Sequence, residues 1–216
     1  GLKRAGLADL FYAAMHHDVG RVGHSFQPSE DGAGEDPLGA EMHIVRGLKR
    51  CLRARNYGNM GLLRMVVAQE HHRVADDYPE SIGLRDPHLF SHIVAVADAF
   101  DRLQNGKGTV EGLEPKQALD AVLANERLNP AAKALLRDVL GIYPRGTTLR
   151  LWDGGIAVVV SGGARRNNTP IVRRLLSADQ TPDEKRPLLE LTNAATNATP
   201  AAASDFFIDW RMTVLE

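Results

Sequence analysis

The sequence predicts a mainly α-helical fold with a small β-rich extension at its C-terminal side. Three observations predict it. Apolar residues recur at three- and four-residue steps almost without break up to Tyr143, proline and glycine punctuate these stretches as helix starts and stops, and β-branched residues with paired glycines take over after that point. The 216-residue chain can bury one main core, so the expected division is a helical domain over 1–143 and an extension over 144–216.

The elements follow in order. From Leu2 to His17, Leu7, Leu10, Phe11, Ala14 and Met15 form an amphipathic stripe, and the helix delivers His17 and Asp18 just before Gly20. The segment from Gln27 to Pro37, rich in proline, glycine and acidic residues, reads as a loop, and helical spacing resumes from Met42 to Arg55. "GLLRMVVAQEHH" is a further helix with Leu62, Leu63, Val66 and Val67 on one face and His71 and His72 near its end. After the loop "RVADDYPESIGLRDP", the helix "LFSHIVAVADAFDRL" is expected to bury Ile93, Val96, Ala97 and Phe100, with Asp98 and Asp101 alongside. "LEPKQALDAVLANERL" and "NPAAKALLRDVLG" carry proline near the first turn, and glycine closes the second. Thr147 to Leu151 and Ile156 to Val160 flank "WDGG" as a hairpin, and "TPIVRRLL" supplies another strand. The Ala/Thr/Asn-rich stretch from Leu191 is expected to cross the surface until its aromatic end near Phe206 docks back.

A hydrophobic content of 44%, a charged content of 25% and a formal charge of -1 describe a soluble protein without a broadly basic face, which argues against duplex nucleic acid as a partner. No apolar run approaches the roughly 18 residues of a membrane span and no signal peptide is evident, so the expected location is the cytoplasm. The single cysteine, Cys51, rules out an internal disulfide and any cysteine-rich zinc site. The chain starts at Gly1 directly in helical pattern, which reads as a segment of a longer protein with an upstream helix or regulatory region.

His17 with Asp18, His43, His71 with His72, and Asp98 all fall at the polar edges of successive helices, positions that a helical bundle can bring to one interior pocket. Imidazoles and carboxylates suit iron, manganese or zinc, and two such ions about 3.5–4 Å apart can acidify a shared hydroxide and steady a phosphoryl group. Arg21, one turn past Asp18, could hold a phosphate oxygen with its planar fork. His16 points away around the helix, His24 reads as an exposed loop residue, and His92 is on the wrong side of its helix to share a metal with Asp98. His88 lies near the start of that helix, and Asp101 could orient a ligand or pair with Arg102. Arg165, Arg166, Arg173 and Arg174 make a small basic concentration that reads as a solvated hairpin.

These blocks resemble the HD superfamily of phosphohydrolases, and within it the HD-GYP group. "FYAAMHHDVGR" is similar to the signature helix, with Arg21 where a lysine is usual. "HIVRG", "EHH" and "HIVAVADAFDRL" are similar to the histidine-to-glycine, double-histidine and late-aspartate blocks, in the family's order. The resemblance continues into "YPRGTTLRLWDGGIAVVV". It implies an HD-type helical bundle and a ligand set of His17, Asp18, His43, His71, His72 and Asp98 around two divalent transition-metal ions, iron or manganese. Asp18 would bridge the ions, Arg21 would clamp phosphate, and the activity would be hydrolysis of cyclic di-GMP by a two-metal-activated hydroxide. The implied partners are the cyclic dinucleotide, an upstream sensory region and a second copy of the chain. In "HHRVADDYPES" the family's naming motif is altered: Arg73 stands where a glutamate is usual, both glycines are absent, and only Asp76, Tyr78 and Pro79 remain. That loop leaves open a changed phosphoester substrate, or a regulatory module that binds nucleotide or a partner protein without turnover.

Overall fold

The computed structural model describes residues 3–22, 37–55, 58–72, 86–106, 111–163, 169–192 and 198–201, with side chains in the second segment from Met42 onward. Among them are six α-helices and a five-stranded sheet. The chain divides into two compact units, Gly1–Asp98 with Arg127–Ala132, and Ala99–Glu126 with Lys133–Glu216.

The first unit carries α1 (Arg4–His16), a 3-10 turn (Val19–Arg21), α2 (Pro37–Arg53), α3 (Asn59–Glu70) and the start of α4 (Leu89–Asn105). Helix α1 packs on α3, and α2 packs on both α3 and the 3-10 turn. Ala13, Val67, Phe90 and Val94 form the core, with Leu10, Ala14 and Leu63 against it. Burying a side chain of this size contributes about 1.5–3 kcal/mol each, so a few such residues suffice to fix the helix ends above them.

The structure corrects the expected helix faces. On α1, Leu7, Phe11 and Met15 are exposed and the buried residue is Ala13. On α3, Leu62 is exposed, while Met65, Val67 and Ala68 are buried. On α4, Ala97 is exposed and Phe90, Val94, Ala95 and Val96 go inside. In each case the helix is apolar on more than one side, so periodicity alone leaves its rotation open and packing decides it. Helix α2 starts at Pro37, earlier than the expected Met42, because proline is well suited to a first helical position.

The second unit contains α5 (Pro115–Ala124), most of α6 (Pro130–Leu140) and the sheet. Helix α5 opens on Pro115, and the Lys133 ammonium donates to the carbonyls of Leu123 and Asn125 at its end, at 3.0 and 2.7 Å. The strands β1 (Thr148–Leu151), β2 (Ile156–Ser161), β3 (Ile171–Leu176), β4 (Leu188–Glu190) and β5 (Ala198–Pro200) pair antiparallel in the order β4-β3-β2-β1-β5. The β1–β2 turn is made by Gly154 at φ 86°, a left-handed conformation that glycine adopts without strain, and by Asp153, whose Oδ1 accepts from the Gly155 N–H at 3.0 Å. Central β2 is buried from Ile156 to Val159, which explains its unbroken apolar run. Leu149, Val159, Val172 and Leu191 anchor this core, and the Tyr143 hydroxyl donates to the Ala198 carbonyl at 3.2 Å.

Two strands went unread in the sequence. Short β4 has no period of its own, and β5 lies within the Ala/Thr/Asn-rich stretch expected to be loop, where pairing with Leu149, Arg150 and Leu151 of β1 orders it. His24, the loop 27–36, the altered loop from Arg73 through Asp76, Tyr78 and Pro79, the pair Arg165 and Arg166, and the aromatic end at Phe206 lie outside the described residues.

Candidate metal centre

The side chains of the centre come from helices of the first unit, His17 and His71 from the caps of α1 and α3 and His43 from within α2. At the end of α1, His17 occupies the cap position and Asp18 follows with φ -102° and ψ 17°, turning the chain into the 3-10 segment. That turn lies directly against α2. A Cβ added to Gly20 would sit 1.8 Å from the His43 carbonyl oxygen and 2.6 Å from the Gly47 nitrogen, so only glycine allows the approach that places Asp18 beside His43. The contact between Gly20 and Gly47 is a feature of tertiary packing.

Four groups converge. One ligand atom from each of Asp18, His43, His71 and His72 lies within 4.8 Å of all the others. His43 Nε2 is 3.1 Å and His71 Nε2 3.4 Å from Asp18 Oδ1. All three atoms are buried, and these short approaches lack hydrogen-bond geometry. The imidazole rings of His71 and His72 stand 4.1 Å apart between centres, and those of His43 and His72 5.1 Å. Burying an unsatisfied polar atom costs about 1–3 kcal/mol, so several gathered at one point fit a site built to face a cation.

The tautomers fit as well. His71 Nδ1 is 3.1 Å from the carbonyls of both Val67 and Ala68, and His17 Nδ1 is 2.6 Å from that of Ala14. A carbonyl can only accept, so Nδ1 carries the proton and Nε2 keeps its lone pair for a ligand. His17 Nε2 lies 3.9 Å from Asp18 Oδ2 and 3.8 Å from Asp98 Oδ1, which places His17 and Asp98 beside the four-residue group but not within it. Arg21 Nε donates to Asp18 Oδ2 at 2.8 Å. Asp18 thus presents one oxygen to His43 and His71 and the other to Arg21 and His17.

Burial works against the Asp18 carboxylate, but the imidazoles of His43 and His71 and the charges of Arg21 and His17 outweigh it and hold the group well below the ordinary carboxylate range. Burial pushes the His17 imidazole down, while Asp98, the Ala14 carbonyl and Asp18 pull harder, and the net shift is upward. A carboxylate held in its ionised form beside imidazole nitrogens is the donor set of a first-row transition metal.

A further residue emerges from the geometry. Glu70 Oε2 accepts from the His88 N–H at 2.7 Å and the Ser91 hydroxyl at 2.9 Å, tying the end of α3, which bears His71 and His72, to the start of α4, which bears Asp98. His88 Nδ1 accepts from the Phe90 N–H at 3.1 Å, a capping role. His92 is absent from the cluster among the described residues, and Asp101 is exposed.

The arrangement defines a histidine and aspartate cluster able to hold a metal ion. No protein-family model matches the chain. Over 187 residues, 82% of its length, it is 27% identical to a protein of Pseudomonas aeruginosa named cyclic di-GMP phosphodiesterase, and it spans 42% of that relative. Among the described residues no helix is long and apolar enough to cross a membrane.

Proposed function

We propose that this chain is a metal-dependent phosphodiesterase of the HD-GYP kind whose substrate is a cyclic dinucleotide, cyclic di-GMP. The observation that carries the reading is the convergence of His43 Nε2 and His71 Nε2 on Asp18 Oδ1, buried and outside hydrogen-bond geometry. The name of the Pseudomonas relative supplies the substrate class. In this reading the helical part, 1–143, is an HD-type bundle that carries the chemistry, and 144–216 is an accessory extension.

His17, Asp18, His43, His71, His72 and Asp98 would hold two divalent ions, iron or manganese. Bound there, such ions supply Lewis acidity to a phosphoryl oxygen and make water a stronger acid. Asp18, with Oδ1 turned to His43 and His71 and Oδ2 to Arg21 and His17, would hold metal through a carboxylate kept ionised. Helix carbonyls of Ala14, Val67 and Ala68 fix the rings of His17 and His71 so that no reorganisation is needed when a ligand arrives. Arg21 steadies Asp18 through Nε and sets a positive charge where a phosphate oxygen would be drawn.

The test is metal analysis of the purified chain joined to a turnover assay on cyclic di-GMP. Near-stoichiometric transition metal, hydrolysis to the linear dinucleotide or GMP, and loss of both in Asp18→Ala are expected. Metal-loaded protein that leaves cyclic di-GMP and simple phosphodiesters intact would overturn the enzymatic reading, and binding of the nucleotide without turnover would point to a regulatory module.

A further inference from the structure

Apart from the metal cluster, the first unit holds a second chemically distinctive place. A cavity of about 160 Å³ is lined by His16, Val19, Arg50, Cys51, Gly61 and Arg64 among others, and by none of the candidate metal ligands. Its lining carries two guanidinium groups and an imidazole but no carboxylate. In a chain whose formal charge is -1, such a one-signed lining is a local concentration.

Among the described residues, the contacts that hold both arginines include no carboxylate. Arg50 Nη1 donates to the Val19 carbonyl at 3.0 Å. Arg64 Nη2 reaches the Met60 sulfur at 3.2 Å, its guanidinium stands 5.4 Å from the centre of the Tyr12 ring, and its Nε is buried without a hydrogen bond. A carbonyl, a thioether and a ring face orient the two groups without neutralising them, which is how a site for a charged guest is kept ready. Burial pushes the Cys51 thiol up and the Arg64 charge pulls it the other way, so the guanidinium field reaches the thiol. His16 Nδ1 donates to the Tyr12 carbonyl at 2.7 Å, leaving Nε2 to accept from a protonated oxyanion. Gly61, in the first turn of α3, brings the positive end of a helix that has no side-chain cap to the same wall.

Size narrows the guest. The volume is several times the ~30 Å³ of one water and well under the ~300 Å³ at which pockets begin to enclose drug-sized ligands. This volume suits a tetrahedral oxyanion. We propose that this cavity is an anion site that takes a phosphoryl group, as inorganic phosphate or as the terminal group of a phosphomonoester, on Arg50 and Arg64. The site stands whether or not the chain is a phosphodiesterase.

Cys51 is the only cysteine in the chain and lines the cavity, so it reports occupancy directly. The experiment measures the rate of Cys51 alkylation by iodoacetamide in metal-free protein, with inorganic phosphate replacing chloride at constant ionic strength. At ten times the dissociation constant, mass action predicts labelling slowed about tenfold. The protection should vanish in Arg64→Gln and in Arg50→Gln, weaken in Arg64→Lys, and persist in Asp18→Ala, with folding of each variant checked by thermal melting. A parallel arm compares guanosine 5′-monophosphate with guanosine: protection by the nucleotide as well as by phosphate assigns the site to terminal phosphates, and protection by phosphate alone assigns it to the free ion. Labelling that ignores phosphate, protection unchanged in folded Arg50→Gln and Arg64→Gln, or protection lost in Asp18→Ala would overturn the proposal.

Discussion

At the scale of single residues the centre depends on a glycine as much as on its ligands. The 3-10 turn carrying Asp18 touches α2 at Gly20, where an added Cβ would stand 1.8 Å from the His43 carbonyl oxygen. No side-chain rearrangement relieves that collision, because both partners are backbone. Gly20→Ala should therefore push Asp18 away from His43, costing about 3 kcal/mol or more, the upper part of the range for overpacking. Gly47 faces the same contact from α2, yet a Cβ there would meet nothing closer than the Gly20 nitrogen at 3.4 Å. Gly47→Ala should be neutral or stabilise by up to about 1 kcal/mol, the helix-propensity difference between the two residues. Thermal melts of the two variants, with metal content measured alongside, check the contrast. Equal damage at both positions would mean that the turn meets α2 differently.

At the scale of elements, helix ends do the positioning. Glu70 joins α3 to α4 by accepting from the His88 N–H and the Ser91 hydroxyl, a capping contact that also spaces His71 and His72 from Asp98. Glu70→Ala should cost about 1–2 kcal/mol through the lost cap and lower metal occupancy, whereas Glu70→Gln, which keeps an acceptor, should do less. In the hairpin between β1 and β2, burial works weakly against the Asp153 carboxylate, while the Gly155 N–H and Arg174 favour it, and its pKa lies below the ordinary value. A depressed folded pKa stabilises above the unfolded pKa of about 3.9 and loses its effect as pH falls through the folded value. The melting temperature of Asp153→Asn should thus trail the parent at pH 7, and the gap should close below about pH 4; a constant gap across that range would assign the effect to the turn alone. Helices and the hairpin were legible in the sequence because period, proline and glycine each carry a physical meaning. The rotation of α1, α3 and α4 was not, since Leu7, Leu62 and Ala97 are apolar yet exposed, and β5 acquires its form only by pairing with β1. Asp18, His43, His71 and His72, which the fold gathers, were all sequence candidates because they are metal-binding residue types at the polar edges of successive helices; Glu70 and the Gly20 contact depend on packing that no spacing encodes.

At the scale of the molecule, the four-residue cluster draws all its members from the first unit, Asp18 from the turn after α1, His43 from α2, and His71 and His72 from the end of α3. These segments are far apart in sequence, and Asp18, His43 and His71 bring buried polar atoms together at a point where the hydrophobic core contributes nothing. A cation bound there would join three chain segments that the unfolded state keeps apart, so its binding free energy becomes folding free energy of that unit. Mass action puts the gain at about 2.7 kcal/mol when free metal is at 100 times its dissociation constant. Hydrogen exchange on metal-free and metal-loaded protein should accordingly show the largest rise in protection at the end of α1, the 3-10 turn, the part of α2 around His43 and the end of α3. Strands β1 to β5, whose core is formed by Leu149, Val159, Val172 and Leu191 of the second unit, should change far less. Asp18→Ala should abolish the difference in the helices while leaving exchange in the strands as it was. Uniform protection across both units would mean that they unfold as one, and protection confined to the strands would exclude this cluster as the metal site.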